Sequence, residues 1–334
     1  MEYRQHHDRR IATGDNEPAI PPSSPSVCQH FPAARQRRDL FACLSQHTVP
    51  DGKLLRHLQP LSRHSAAIYS RLFPETPCPE EKCSLTLYER LTIALTVAQL
   101  TETGFLSDFY AAWLSPLPGP AGSRENNIRL TEITEYTRLL TCSSAETPSP
   151  GLAGLLQSGV TPPDILILHQ LCGFVGWQAQ WISGVMTLAA DGGETRYRTS
   201  PVPPYPDLLC SCSTTTYLPR LDTSRLSTVR RSLLRDIRAL GEPFLKAEII
   251  GHAPRAARAW LILRALSAPP ATAGHPPAEN TAEDQELRRR TSPLSCRELE
   301  RLKRQGWKTE DLLPLLGVIA TNIWDYRLTQ LAVA

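Results

Sequence analysis

The chain has no apolar run long enough to span a membrane, and its first residues, MEYRQHHDRR, lack the apolar core of a secretory signal. A cytoplasmic protein is therefore expected, and membrane association is not. A mitochondrial-type leader would lack acids, whereas Glu2, Asp8, Asp15 and Glu17 are present. Net charge is nearly absent too, at +3. The arginine clusters, such as Arg288–Arg290, are single turns between loops, so no nucleic-acid partner is expected. No glycine-rich phosphate loop and no ordered set of metal ligands is present, which leaves FMN, NAD and zinc without a motif. Nine cysteines without a signal peptide read as thiols rather than a disulfide framework. Cys78 and Cys83 are not spaced as a zinc pair, and the Cys210–Ser211–Cys212 stretch is not the redox Cys-x-x-Cys. Alternation of β-branched residues is scarce. Leucine and alanine dominate the periodic segments instead, which favours an all-α fold.

What the sequence does contain is one segment stated twice. Gly159–Ala189 reads GVTPPDILILHQLCGFVGWQAQWISGVMTLA. Thr161 is placed to cap a helix with Pro162 and Pro163 in its first turn and Asp164 near its positive end. Ile165, Leu168, Cys172, Val175 and Ala179 recur at the spacing of a buried helix face. Gly306–Ala334 repeats the pattern. Gly159, Asp164, Leu166 and Trp177 match Gly306, Asp311, Leu313 and Trp324 at the same 147-residue offset. Two related helical halves follow from this.

Residues 1–38 read as a flexible arm rich in proline and serine, in which His6, His7, Cys28 and His30 are inert. Residues 39–190 form the first half, 191–206 a proline-rich linker, and 207–334 the second half. In the first half, helical patterns cover 37–48, Gly52–Phe73 (one helix, or two broken near Pro60), and Leu85–Leu114 with a break at Gly104. A helix through Leu140 follows the proline–glycine loop at 115–125, and Cys142–Leu152 reads as a linker. In the second half, Leu226–Leu240 is a basic amphipathic helix, Phe244–Leu266 is helical with an interruption near Pro254, and Leu287–Lys303 is one charged helix. Ser295 is a candidate cap, although its acid partner looks poorly placed for a capping box.

Glu89-Arg90-Leu91-Thr92-Ile93-Ala94-Leu95, followed later by Gly159-Val160-Thr161-Pro162-Pro163-Asp164-Ile165, resembles the AhpD-like superfamily, which includes carboxymuconolactone decarboxylases and alkylhydroperoxidase-related proteins. The resemblance runs over about 38–334 as two halves, and is closest to a duplicated enterobacterial branch described as oxidoreductases and linked to cysteine or sulfur metabolism. It implies a duplicated helical domain forming an intramolecular pseudo-dimer, and a homo-oligomer built through helical faces. The family's peroxidatic motif is Cys-x-x-Cys-x-x-x-His with an upstream glutamate. Here Thr103 and Leu106 stand in place of the cysteines and Tyr110 in place of the histidine, while Glu89 lies near the glutamate position. Neither residue can supply a thiolate nucleophile or a resolving thiol. In the second half, Cys296 stands alone. The resemblance therefore implies a protein without dithiol peroxidase activity, either a scaffold or a binder of a small molecule or partner protein.

Four side chains nevertheless have the chemistry of a relocated centre: Glu89, Tyr110, His169 and Cys172. Glu89 is a first-turn acid, a partner for Arg90 or Arg129, or a proton relay tuned by burial. His169 is a packed, hydrogen-bonded core residue, or a base for Cys172 three residues on. Cys172 lies on the apolar stripe, where thiols are commonly inert. One enzymatic alternative is a thiol peroxidase or sulfur-transfer enzyme using Cys172 or the Cys210/Cys212 pair. The other is cofactor-independent acid–base chemistry by Glu89 and Tyr110. Trp177 and Trp181, four apart, either pack or stack on a flat ligand. The pocket expected lies between the helices carrying Glu89, Tyr110, His169 and Trp177.

Overall fold

A computed structural model of the chain describes residues 40, 52–76, 82–142, 149–189, 221–222, 224, 226–242, 246–267 and 282–333. The expected arm, the linker at 191–206 and the Cys210/Cys212 pair lie outside the described residues, as does Cys78. Among the described residues there are twelve helices and no strand. They are α1 (Gly52–Leu72), α2 (Leu87–Leu100), α3 (Gly104–Leu114), α4 (Arg124–Cys142), α5 (Ser149–Gln157), α6 (Pro162–Ala189), α7 (Thr228–Arg238), α8 (Ala247–Ile250), α9 (Pro254–Ser267), α10 (Ala282–Arg289), α11 (Cys296–Arg304) and α12 (Thr309–Val333). The all-α expectation holds.

α6 and α12 form the axis of the molecule and run antiparallel. His169 of α6 meets the Arg327 carbonyl of α12, Gly173 lies against Trp324, and Gly184 lies against Leu316. The close crossing requires glycine at its centre. A Cβ on Gly173 would stand 2.1 Å from Trp324 Cδ1, and one on Gly184 would stand 2.4 Å from Leu316. Periodicity alone predicts one buried face for α6. The structure instead buries it all round, from Asp164 to Leu188, with Ser183 and Met186 only partly covered. α1, α2, α4, α9 and α11 supply the surrounding layer. The helix is buried on all sides because every side faces another helix, and its polar residues find partners there.

α1 passes through Pro60 as one helix. The predicted break near Gly104 is present, but the left-handed residue there is Glu102 (φ 51°), whose neighbour Thr103 donates back to the Ala98 carbonyl. The expected linker Cys142–Leu152 gives way to α5 from Ser149 onward. The expected single helix over 287–303 is two, α10 and α11, separated by a turn through Thr291, Ser292 and Pro293, because a proline cannot carry its share of the helical ladder. Ser295 caps α11 with a full capping box, its hydroxyl accepting from the Glu298 N–H while the Glu298 carboxylate accepts from the Ser295 N–H. The expectation of a poorly placed acid partner is thus corrected: Glu298 is the N3 residue, three after the cap.

α6 and α12 begin alike. Gly159 (φ 79°) and Gly306 (φ 97°) end the preceding helices in the left-handed conformation that favours glycine. Val160 donates to Leu155 O and Trp307 to Leu302 O, five residues back in both. Asp164 then accepts from the Thr161 N–H, and Asp311 from the Lys308 N–H.

Candidate functional site

The four candidate side chains fall into three separate clusters. The first ties α2, α4 and α6 together. Thr86 and Glu89 close a capping box at the start of α2, with Glu89 Oε2 accepting from the Thr86 N–H at 2.7 Å. Glu89 Oε1 accepts from Arg129 Nε at 2.6 Å, so both carboxylate oxygens are engaged and the partner is Arg129 rather than Arg90. Arg129 also donates to Gly159 O and to the Ser84 hydroxyl. Asp164, fully buried, accepts from the backbone of Ser84, Leu85 and Thr161 and from the hydroxyls of Ser84 and Thr161. Burial pushes the Asp164 carboxyl up, but hydrogen bonds from Cys83, Thr161 and Ser84 outweigh it and hold the group below the ordinary carboxylate range. Beside it, Arg90 donates to Leu85 O, Leu72 O and Cys83 Sγ. Burial pushes the Cys83 thiol up to about 12, against the pull of the Arg90 guanidinium.

The second cluster is aromatic. The Tyr110 hydroxyl donates to Gln178 Oε1 at 2.5 Å, and Gln178 Nε2 donates to the Tyr69 hydroxyl at 2.6 Å. Phe73, Phe109, Trp113 and Phe174 pack around Tyr69 with ring centroids 5.6–6.0 Å away. Burial pushes the Tyr110 phenol well above its ordinary value, so it remains a neutral donor.

The third cluster joins α4, α6 and α12. His169 Nδ1 lies 2.8 Å from Arg327 O, and Nε2 lies 2.9 Å from the Tyr136 hydroxyl. A carbonyl only accepts, so Nδ1 carries the proton and Nε2 accepts from Tyr136. Burial, reinforced by the Arg327 charge, pulls the imidazole down to about 4 in spite of the carbonyl bond. Both ring nitrogens are used, which leaves His169 no lone pair for Cys172. Burial pushes the Cys172 thiol up to about 12, against Arg327 and a hydrogen bond with Thr141. Arg327 is itself buried. It donates to the carbonyls of Leu140 and Thr141, so its charge sits at the negative end of α4.

Trp177 packs parallel to Phe174 (6.3 Å, 9°), and its indole donates to the Ser267 hydroxyl. Trp324, at the matching place in α12, donates to Gln170 Oε1 at 2.9 Å. Both indoles are core, and Glu89, Tyr110, His169 and Trp177 are all buried. Sequence reasoning missed Asp164 as a hub, together with Tyr136, Thr141 and Arg327. The signals for Asp164 were its place in the first turn of the helix and its recurrence at 311.

A cavity of 460 Å³ opens instead on the surface, along α4, lined by Gly122, Arg124, Asn127, Ile128, Thr131 and Glu132. Among the described residues, no group of three His, Cys, Asp or Glu side chains is placed to hold a metal, and no helix is long and apolar enough to cross a membrane. Comparison with protein-family models, curated proteins and solved structures finds no match for the chain.

Proposed function

We propose that the chain is a non-catalytic, AhpD-like helical protein that binds a small molecule or a partner protein. The observation that carries this reading is the state of His169 and Cys172. The base has both nitrogens committed, and the thiol is fully enclosed and held protonated. A nucleophile needs a thiolate and an approach path. Glu89 and Tyr110 support the same reading, since a cap and a core tyrosine already absorb their polar atoms. The internal duplication is part of the proposal. It is supported by the matching left-handed glycines, back-bonds and aspartates that open α6 and α12, and by the antiparallel pairing of the two helices. Ile128 and Leu156, exposed on the neighbouring helices α4 and α5, offer apolar contacts to a partner or a second copy beside the α4 cavity.

The test is multiple-turnover consumption of hydroperoxide by the reduced protein with excess dithiol reductant. The expected result is no turnover beyond that of the urea-unfolded chain. Saturable turnover abolished by Cys172→Ala overturns the reading in favour of a relocated thiol centre. Cofactor-independent decarboxylation or isomerisation activity that is lost in Glu89→Gln would instead favour the acid–base alternative.

A further inference from the structure

Among the described residues three large apolar side chains stand exposed, and one of them, Ile128, is 46% exposed on the wall of the α4 cavity. The inward face of α4 carries Ile133, Tyr136, Thr137 and Leu140, all buried. With successive residues turned by about 100°, Arg124, Ile128, Thr131 and Glu135 fall on the opposite face. Asn127 and Glu132 run along its two edges, Glu132 where its carboxylate lies over Gly154 of α5. Five of these six residues line the 460 Å³ cavity, and Glu135 continues the stripe one turn further, exposed and paired with Arg138 of its own helix. The stripe therefore has a cation at one end, a carboxylate at the other, and an isoleucine and a threonine between them. Such a face is complementary to itself when it is turned end for end.

We infer that this face of α4 is a docking surface for a second copy of the chain, paired antiparallel about a two-fold axis at the midpoint between Arg129 and Leu130. The axis sets each residue opposite the one equally far from that midpoint. Arg124 then meets the partner subunit's Glu135, Ile128 meets the partner subunit's Thr131, and Asn127 meets the partner subunit's Glu132. Each pair occurs twice. Opposite charges close both ends, a carboxamide donor meets a carboxylate at each edge, and the centre removes Ile128 from water. Sliding the register by one turn sets Arg124 against Thr131 and carries Glu135 past the start of α4, so the charges select one register. A single helix face from each copy lies at the small end of interface sizes, which makes the dimer reversible, with a Kd on the order of 10–100 μM. The inference rests on the partner-binding part of the function proposed above and names the partner.

The experiment is sedimentation velocity of the full-length chain from about 1 to about 300 μM at low salt, where exposed charge pairs are least screened. The sedimentation coefficient is expected to rise with concentration as monomer gives way to dimer. Arg124→Glu and Glu135→Arg, each shown folded by circular dichroism and Tm, are each expected to weaken self-association roughly tenfold, because both end pairs become like-charged. Mixed one to one, the two variants are expected to recover dimerisation of wild-type strength, since every reversed charge in the mixed dimer meets its complement. A wild-type chain that stays monomeric at about 300 μM overturns the pairing and leaves the groove to a different protein or a small molecule. A dimer indifferent to both charge reversals, or variants that do not recover on mixing, overturns the two-fold register. None of these outcomes touches hydroperoxide turnover, so the non-catalytic reading stands or falls by its own test.

Discussion

Acidification provides a direct test of the cluster around His169. The imidazole is held neutral between Tyr136 and the Arg327 carbonyl, with its value pulled from the ordinary 6.5 to about 4. In the unfolded chain the same ring takes a proton below 6.5. Between these values the unfolded state binds more protons than the folded one, so stability falls as pH falls. The contribution is fully present above 6.5 and is lost as pH drops to about 4. At 1.36 kcal/mol per pH unit, the full loss is about 3 kcal/mol. The measurement is urea unfolding at several pH values for the wild type and for His169→Gln. Taking the difference between the two proteins cancels groups that titrate in both, such as Asp164. The wild type is expected to lead at pH 7 and to surrender about 3 kcal/mol of that lead by pH 4. A constant difference across this range would refute the enclosed neutral imidazole. Nitrogen chemical shifts showing the proton on Nε2 would refute the assigned hydrogen bonds.

Three further substitutions probe the frame. Asp164→Asn exchanges one of its two accepting oxygens for an NH2 donor, so either the Ser84 and Leu85 N–H groups or the Thr161 N–H loses its acceptor, and is expected to cost about 3 kcal/mol in urea unfolding. Because the Asp164 carboxyl is held low, the stability it adds is present above the ordinary carboxylate value and lost as pH falls below it. Gly173→Ala forces a Cβ into Trp324 and should lower Tm by more than Gly176→Ala, where the nearest atom of Ile323 is 3.1 Å away; the reverse order contradicts the described crossing. Glu102→Gly replaces a side chain held at φ 51° and should stabilise by about 1 kcal/mol, measured as an increase in the urea midpoint.

Much of the helical frame is legible in the sequence, because leucine periodicity marks α2 and the glycine–aspartate openings mark α6 and α12. Arg129 was one of two named partners for Glu89, and i+40 spacing could not choose between it and Arg90. Burial on all sides of α6 was hidden. Its glutamines at 170, 178 and 180 break an apolar stripe on paper, yet they are core residues because distant groups, Trp324, Tyr110 with Tyr69, and Leu294, meet them. The clamp on His169 was hidden for the same reason, since Tyr136 and Arg327 come from opposite directions along the chain. Gly104 drew attention as a breaker, while the left-handed position fell two residues earlier on a glutamate. Composition locates such a turn but not its residue.

The central pair also sets an order of events at the ribosome. α6 is synthesised with side chains on every face that are buried only in the finished fold, and its principal partner, α12, follows only after α7 to α11. Until then the nascent chain holds a long sticky helix that α1, α2 and α4 cover on some sides and leave open on another. Folding of the chain up to α6 is therefore expected to pause short of completion, and the interval is a window for chaperone capture or for mispairing with another nascent copy. Slower translation through the α7–α11 region would lengthen that window without changing any native contact.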